Sequence, residues 1–190
     1  TYDGTTNVES SNLTSFSNLA GSDTLSLSGT GTISSADVGT GKTVNTSGLT
    51  IDNSSGVGSN YTLSAATVNV TERVIGLSGV RAFDGTNNAS SADLSISNLV
   101  SGENLTLSGS GTVPNATVEM NKAITLGSLS ISDGSGGKSS NYTLTGGSHT
   151  LDISQLSVNV TGSRQYDGTK TVDSSDLTLT NLVSGETAVS

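Results

Sequence analysis

The sequence predicts an all-β protein, built as a tandem array of Ig-like β-sandwich repeats of about 80 residues, with β-grasp-like repeats as the alternative. Three observations predict it: a period-two alternation of apolar and polar side chains, glycine punctuation between short apolar runs, and markers that return at a nearly fixed interval. The alternation runs through Leu94-Ser95-Ile96, Leu105-Thr106-Leu107, Leu129-Ser130-Ile131, Leu151-Asp152-Ile153 and Val158-Asn159-Val160. Successive strand side chains point to opposite faces, so each run buries one face and wets the other. There are 24 glycines among 190 residues, which places a turn signal between one short apolar run and the next. Helical spacing of good helix formers is nearly absent; residues 10–18 and 90–98 admit a helical turn opened by a serine cap.

The repeat is read from several independent markers. Tyr2-Asp3-Gly4-Thr5 returns as Phe83-Asp84-Gly85-Thr86 and Tyr166-Asp167-Gly168-Thr169, and Asn60-Tyr61-Thr62-Leu63 returns as Asn141-Tyr142-Thr143-Leu144. Asn18-Leu19-Ala20-Gly21-Ser22-Asp23 matches Asn98-Leu99-Val100-Ser101-Gly102-Glu103 and Asn181-Leu182-Val183-Ser184-Gly185-Glu186. Leu25 to Thr32 matches Leu105 to Thr112. The stretches Val74 to Val80 and Leu156 to Val160 precede the later Asp-Gly markers and read as opening strands. On this phase repeat 1 spans residues 1–72 without its opening strand, repeat 2 spans 73–155 and is complete, and repeat 3 spans 156–190 and is truncated. A partial unit cannot bury its face alone, so its strands borrow a neighbour, fray, or continue in further sequence.

The predicted core of repeat 2 is Phe83, Leu94, Ile96, Leu99, Leu105, Leu107, Val113, Val118, Ile124, Leu126, Leu129, Ile131, Tyr142, Leu144, Leu151 and Ile153. Burial of each contributes roughly 1.5–3 kcal/mol, which offsets the ordering entropy of so small a unit with little surplus. Contacts between neighbouring repeats therefore matter. Because Tyr2, Phe83 and Tyr166 share a position, the ring is needed there and the hydroxyl is dispensable, which points to packing. Asp3, Asp84 and Asp167 precede glycine in a tight turn and read as structural.

Charge excludes several classes of partner. A net charge of −9, with seven Lys and Arg, argues against nucleic acid and anionic membrane surfaces. Charged residues make up 12% of the chain, roughly half the usual share, and Ser, Thr, Asn and Gly fill the gap. No apolar run is long enough to span a bilayer. Without cysteine, disulfides, thiolate metal sites and cysteine nucleophiles are all removed.

Taken together, these boxes resemble the YDG-type repeat domains of large secreted bacterial adhesins, the filamentous-haemagglutinin-like proteins exported by two-partner secretion. The resemblance rests on the Tyr/Phe-Asp-Gly-Thr box, the Asn-Leu-x-x-Gly-Asp/Glu turn, the Leu-x-Leu-Ser-Gly-x-Gly-Thr strand, the Gly39 to Val44 stretch and the Asn-Tyr-Thr-Leu box. It implies an extracellular or cell-surface, rod-forming chain concerned with adhesion, biofilm or matrix, and it brings no catalytic residues. Repeat 2 departs from repeat 1 at Glu119-Met120-Asn121-Lys122, where repeat 1 has Gly39-Thr40-Gly41-Lys42.

Little in the chain suggests chemistry, and an enzyme is not expected. His149 is the single histidine, so a Ser-His-Asp triad has one position to form around and reads instead as a solvated strand end. The Asp52 and Asp133 loops are the candidates for calcium, yet each offers one carboxylate where hard cations want several, and a solvated turn is the better reading. No other cofactor is implied. Gly39 to Thr43 echoes a phosphate loop without its spacing. Lys42 and Lys122, equivalent in the two repeats, read as solvated rather than cross-linked. Candidate glycosylation sites are Asn12, Asn45, Asn53, Asn60, Asn69, Asn88, Asn104, Asn115, Asn141 and Asn159, all in Asn-x-Ser/Thr. The expected function is a structural stalk or fibre. The alternatives are a self-associating filament or sheath joined by β-strand pairing, and a glycan-binding module, which the scarcity of aromatic residues disfavours. The expected partners are neighbouring repeats of the same chain and other copies in a fibre.

Overall fold

A computed structural model describes residues 1–13 and 15–187. The described chain is all-β: its only helical elements are five three-residue 3-10 turns. Two of them, Ser10–Asn12 and Ser91–Asp93, lie where the sequence admitted a helical turn. At the second, the Ser90 hydroxyl accepts from the Ala92 amide at 3.3 Å, a serine cap of the expected kind.

The chain divides into two compact units, one of Thr1–Ile75, Asn98–Leu105 and Asp133–Gly146, the other of Gly76–Ser97, Thr106–Ser132 and Gly147–Ser190. Two segments of the second sequence repeat thus pack with the first.

In the first unit, strands Asn7–Glu9, Leu25–Thr32 and Leu49–Asn53 form an antiparallel sheet in that order. Strand Gly39–Thr43 pairs with Thr67–Val70 through a bulge between Gly39 and Lys42, so the stretch that echoes a phosphate loop is a strand. Val8, Ile33, Val44 and Leu49 are buried, with Leu13, Leu27, Leu63, Ala66, Val68 and Val70 packed against them. Gly31 shows why the Ser-Gly-x-Gly-Thr strand keeps its second glycine. A Cβ there would stand 2.7 Å from Val44 Cγ1 and 2.9 Å from the Asn45 carbonyl. A short parallel pair, Arg73–Val74 with Tyr142–Thr143, joins segments of the second repeat to this unit.

The second unit centres on a mixed sheet with strand order Glu119–Ala123, His149–Ser154, Gly76–Ala82, Leu94–Ser97. Its two middle strands, the opening and closing strands of repeat 2, run parallel from His149 opposite Leu77 to Ser154 opposite Ala82. Both outer pairings are antiparallel. Leu77, Leu151 and Ile153 are at most 1% exposed, as expected for the centre of a sheet covered on that face. Asn88–Ser90 pairs with Ser110–Thr112, and Asn159–Gly162 pairs with Leu177–Thr180.

The predicted core needs correction at several positions. Val118 is 49% exposed because it leads into the bulged strand at Glu119 rather than lying within it. Phe83, Leu94, Ile96, Leu99, Leu107, Leu126 and Ile131 are half-buried. The opening strand buries Ile75 and Leu77 and exposes Val74 and Val80. Ala89 is also buried, opposite Gly111, a position too small to signal itself by size.

Candidate functional site

Each Asp-Gly box is one rigid turn built three times. Asp3 Oδ1 accepts from the Thr5 amide at 2.8 Å and the Thr5 hydroxyl at 2.9 Å. Asp84 with Thr86, and Asp167 with Thr169, repeat both distances. The glycine after each aspartate takes φ of 77 to 80°, a region other L-residues avoid. Arginines three residues ahead brace the later two boxes. Arg81 pairs with Asp84, and Arg164 Nη2 donates to the Thr169 carbonyl at 2.6 Å. The Thr169 amide, then Arg164 and the Thr169 hydroxyl, hold the Asp167 carboxyl below its ordinary range.

The first of these turns seats its aromatic ring on segments 98–105 and 133–146, which pack with it in the first unit. Tyr2, tied to the strand behind it by an amide bond to the Thr71 carbonyl at 2.8 Å, is 5% exposed. Its ring stands edge-to-face on Tyr142, with centroids 5.4 Å apart at 79°, a favoured geometry for aromatic quadrupoles. Both phenols donate to one carboxylate: Tyr2 to Glu103 Oε1 at 2.5 Å and Tyr142 to Oε2 at 2.7 Å. Tyr142 in turn accepts from the Val100 amide at 3.1 Å. A Cβ at Gly4 would stand 2.7 Å from Val100 Cγ1, so the glycine also lets the turn come close. Burial first, then the Glu103 hydrogen bond, pushes the Tyr2 phenol up to about 12. The same two causes raise Tyr142.

A polar clamp lies on the same two repeats. Asp37 accepts from Lys138 Nζ at 2.6 Å and Asn141 Nδ2 at 2.9 Å, and Asn141 Oδ1 accepts from the Val38 amide at 3.0 Å. Those bonds, Asn141 first, pull the Asp37 carboxyl down to about 2.

The receiving face is also present in repeat 1. Tyr61 donates to Asp23 Oδ2 at 2.6 Å and accepts from the Ala20 amide at 3.1 Å, the same frame as Tyr142, Glu103 and Val100. No ring covers it among the described residues. Tyr61 is half-buried and Asn60 exposed, where Tyr142 and Asn141 are 2% and 1% exposed. At the second box, Phe83 is half-buried, anchored through its amide to the Ser154 carbonyl at 2.8 Å, and Gly85 faces Val183 as Gly4 faces Val100. At the third box, Tyr166 is 94% exposed.

Sequence reasoning singled out the Tyr/Phe-Asp-Gly and Asn-Tyr-Thr-Leu boxes without seeing that one docks on the other. It missed Glu103, Asp37, Arg81 and Arg164. A signal existed for Glu103, because Asp23, Glu103 and Glu186 place an acid at the end of every Asn-Leu turn.

The remaining candidates fall outside this site or serve it. Nine of the ten sequon asparagines are exposed; Asn141 is buried in the clamp with both ends of its amide bonded, so in the folded chain it is closed to a glycan. Asp133 Oδ1 accepts from the Ser139 amide and hydroxyl at 2.8 and 2.7 Å, holding the first residue of the 3-10 turn Ser139–Asn141. Asp52 lies in strand Leu49–Asn53 opposite Ser26. Among the described residues no three His, Cys, Asp or Glu side chains converge as metal ligands. Lys122 is not solvated. It is 4% exposed, and its Nζ donates to Asn115 Oδ1, Thr117 Oγ1 and Glu119 Oε2 at 2.8, 3.2 and 2.7 Å, closing the loop before its strand. Lys42 does a similar task by donating to the Ser35 carbonyl at 2.9 Å. His149 is half-buried at the start of its strand, opposite Leu77. No helix among the described residues is long and apolar enough to cross a membrane.

Residues 1–69 and 71–151 each match the model of the YDG domain, and the chain belongs to that family. No curated protein and no solved structure matches the chain.

Proposed function

We propose that this chain is part of the structural repeat region of an extracellular bacterial adhesin or matrix protein, acting as a non-catalytic stalk or fibre in adhesion and biofilm. The observation that carries this reading is the seating of Tyr2 on Glu103 and Tyr142, which ties the first sequence repeat to segments of the second, within one compact unit, by a buried ring and a shared carboxylate. The two successive YDG matches support a serial architecture, and the Ser/Thr-rich, weakly charged composition suits display in water without attracting polyanions.

Within this reading we take each module to be β-grasp-like rather than an Ig-like sandwich. The support is the parallel pairing of a repeat's opening and closing strands at the middle of a mixed sheet. Among the described residues the chain between these two strands contains no α-helix, only the 3-10 turns Ser91–Asp93 and Ser139–Asn141.

The test is to display the chain on a bacterial surface between an anchor and a tip epitope, and to measure epitope height and cell adhesion. A stalk raises the epitope in proportion to the number of modules, and Tyr2→Ala shortens or loosens it. If height does not change with module number, the stalk reading fails.

A further inference from the structure

Two polar side chains are buried among the described residues, Asn141 and Lys122, and the clamp accounts for the first. Lys122 lies in the other unit, and the three oxygens around its ammonium group belong to an amide, a hydroxyl and a carboxylate. The amide is polarised from three directions. Asn115 Oδ1 accepts from Lys122 Nζ at 2.8 Å, from the Thr117 amide at 3.1 Å and from the Thr117 hydroxyl. Hydrogen bonds on that oxygen draw electrons from the amide carbon, and they are placed to hold the negative charge that an attack on Cγ creates. Glu119 Oε2, 2.7 Å from Nζ, stands where a base must be to take its proton. An amine, a polarised carbonyl bearing a leaving group, and a base thus meet within eight residues.

We propose that Lys122 and Asn115 join in an isopeptide bond, formed by the folded chain on itself with Glu119 as the base. Glu119 takes one proton from the ammonium, and the freed amine turns from Oδ1 to attack Cγ. The new N–C bond pushes the carbonyl electrons onto Oδ1, where the two Thr117 donors hold them. The C–Nδ2 bond then breaks with its electron pair on nitrogen. Nδ2 receives the Glu119 proton and one from the attacking nitrogen, and it leaves as ammonium. Glu119 returns to carboxylate, the link keeps one N–H, and nothing is oxidised or reduced.

Repeat 1 supplies the contrast. Lys42 occupies the same position, but Ser35 and Gly39 stand where Asn115 and Glu119 do, and Lys42 Nζ donates to the Ser35 backbone carbonyl. With no side-chain amide and no carboxylate at those positions, Lys42 has nothing to join. The departure of repeat 2 at Glu119 therefore has a chemical use. The bond closes residues 115–122 into a covalent ring at the start of the edge strand Glu119–Ala123, and it uses the amide that a glycan on Asn115 would need. This goes beyond the stalk reading and does not rest on it.

The experiment is mass spectrometry of the folded 190-residue chain, intact and after trypsin. The chain is expected to weigh less than its sequence by one ammonia, to stay uncut after Lys122, and to keep the full sequence mass in peptides from residues 1–72. Glu119→Gln keeps the full mass and still melts as a folded protein, because the Glu119 side chain is 61% exposed. Lys122→Arg keeps the full mass as well. The proposal is overturned if the parent, held folded for days at neutral and mildly alkaline pH, retains its full mass. Ammonia loss that persists in Lys122→Arg also overturns it, since that marks a succinimide at asparagine, and undiminished loss in Glu119→Gln removes the base on which the step depends. None of these results bears on epitope height, the measure of the stalk reading.

Discussion

The receiving faces of repeats 1 and 2 are built from the same frame, a tyrosine held between a backbone amide and a carboxylate, yet they live in different environments. Around Tyr142 a second ring has arrived, and Tyr142, Asn141 and Tyr2 are all but removed from water. Around Tyr61 it has not, and Tyr61 is half-buried and Asn60 exposed. The difference teaches that burial of the Asn-Tyr-Thr-Leu box depends on whether a ring packs on it, as Tyr2 packs on Tyr142. A residue type placed at a junction has two possible energies, one for each state of occupancy.

Truncation of the two tyrosines is the strongest way to break that comparison. Tyr142→Ala removes a buried ring, the partner of Tyr2 and one of the two phenols on Glu103, and should cost about 3–5 kcal/mol in urea unfolding. Tyr61→Ala should cost about 1 kcal/mol, since only one hydrogen-bond frame is lost. Equal losses would mean the two faces do not differ in occupancy. Glu103→Ala comes next. It strands two phenols in a dry site and should cost about 2–3 kcal/mol, against about 1 kcal/mol or less for Asp23→Ala.

Alkaline pH sharpens the contrast without mutation. The Tyr2 phenol is raised from 10.0 to about 12, so its protonated form is the one the fold favours. Its contribution is complete below about pH 10 and is lost as pH rises through about 12. Melting temperature should fall across that window more steeply in the parent than in Tyr2→Phe, and tyrosinate absorbance should show one late phenol disappear with the substitution. Phe83 makes the substitution a natural one, at a box where the hydroxyl is already missing.

The strand content and the repeat were legible because both are local: alternation and turn residues are written in consecutive positions. The phase of the opening strand was less so. Val74 and Val80 are as apolar as Ile75 and Leu77, and which face is buried depends on the strand His149–Ser154, some seventy residues away, lying parallel beside it. Val118 failed for a related reason, since a bulge at Glu119 shifts the register and no residue announces it. At the candidate site the boxes were visible as recurring types, but their meeting was not. Tyr2 and Glu103 are separated by 101 positions, and nothing in either neighbourhood points to the other. Lys122 looked like a surface lysine because a single charge in a polar loop gives no sign that three oxygens will gather around it.

The smallest expected effect concerns the clamp. Asp37 has lysine and asparagine partners, whereas Thr117, its counterpart in repeat 2, has no charge to offer. The Asp37 carboxyl is lowered from 3.8 to about 2, chiefly by Asn141 and then by Lys138, so its contribution is present above about pH 4 and is lost as pH falls toward 2. Both members of the ion pair are substantially solvated, with side chains 59% and 40% exposed, and water and salt screen most of the attraction. Asp37→Asn should therefore cost less than about 1 kcal/mol at neutral pH and flatten the acid limb of the stability curve. Thr117→Asp should do neither if the clamp depends on Lys138 and Asn141 rather than on the loop itself. An acid limb unchanged in Asp37→Asn would reduce the clamp to a packing contact and leave the ring and its carboxylate as the whole of the junction.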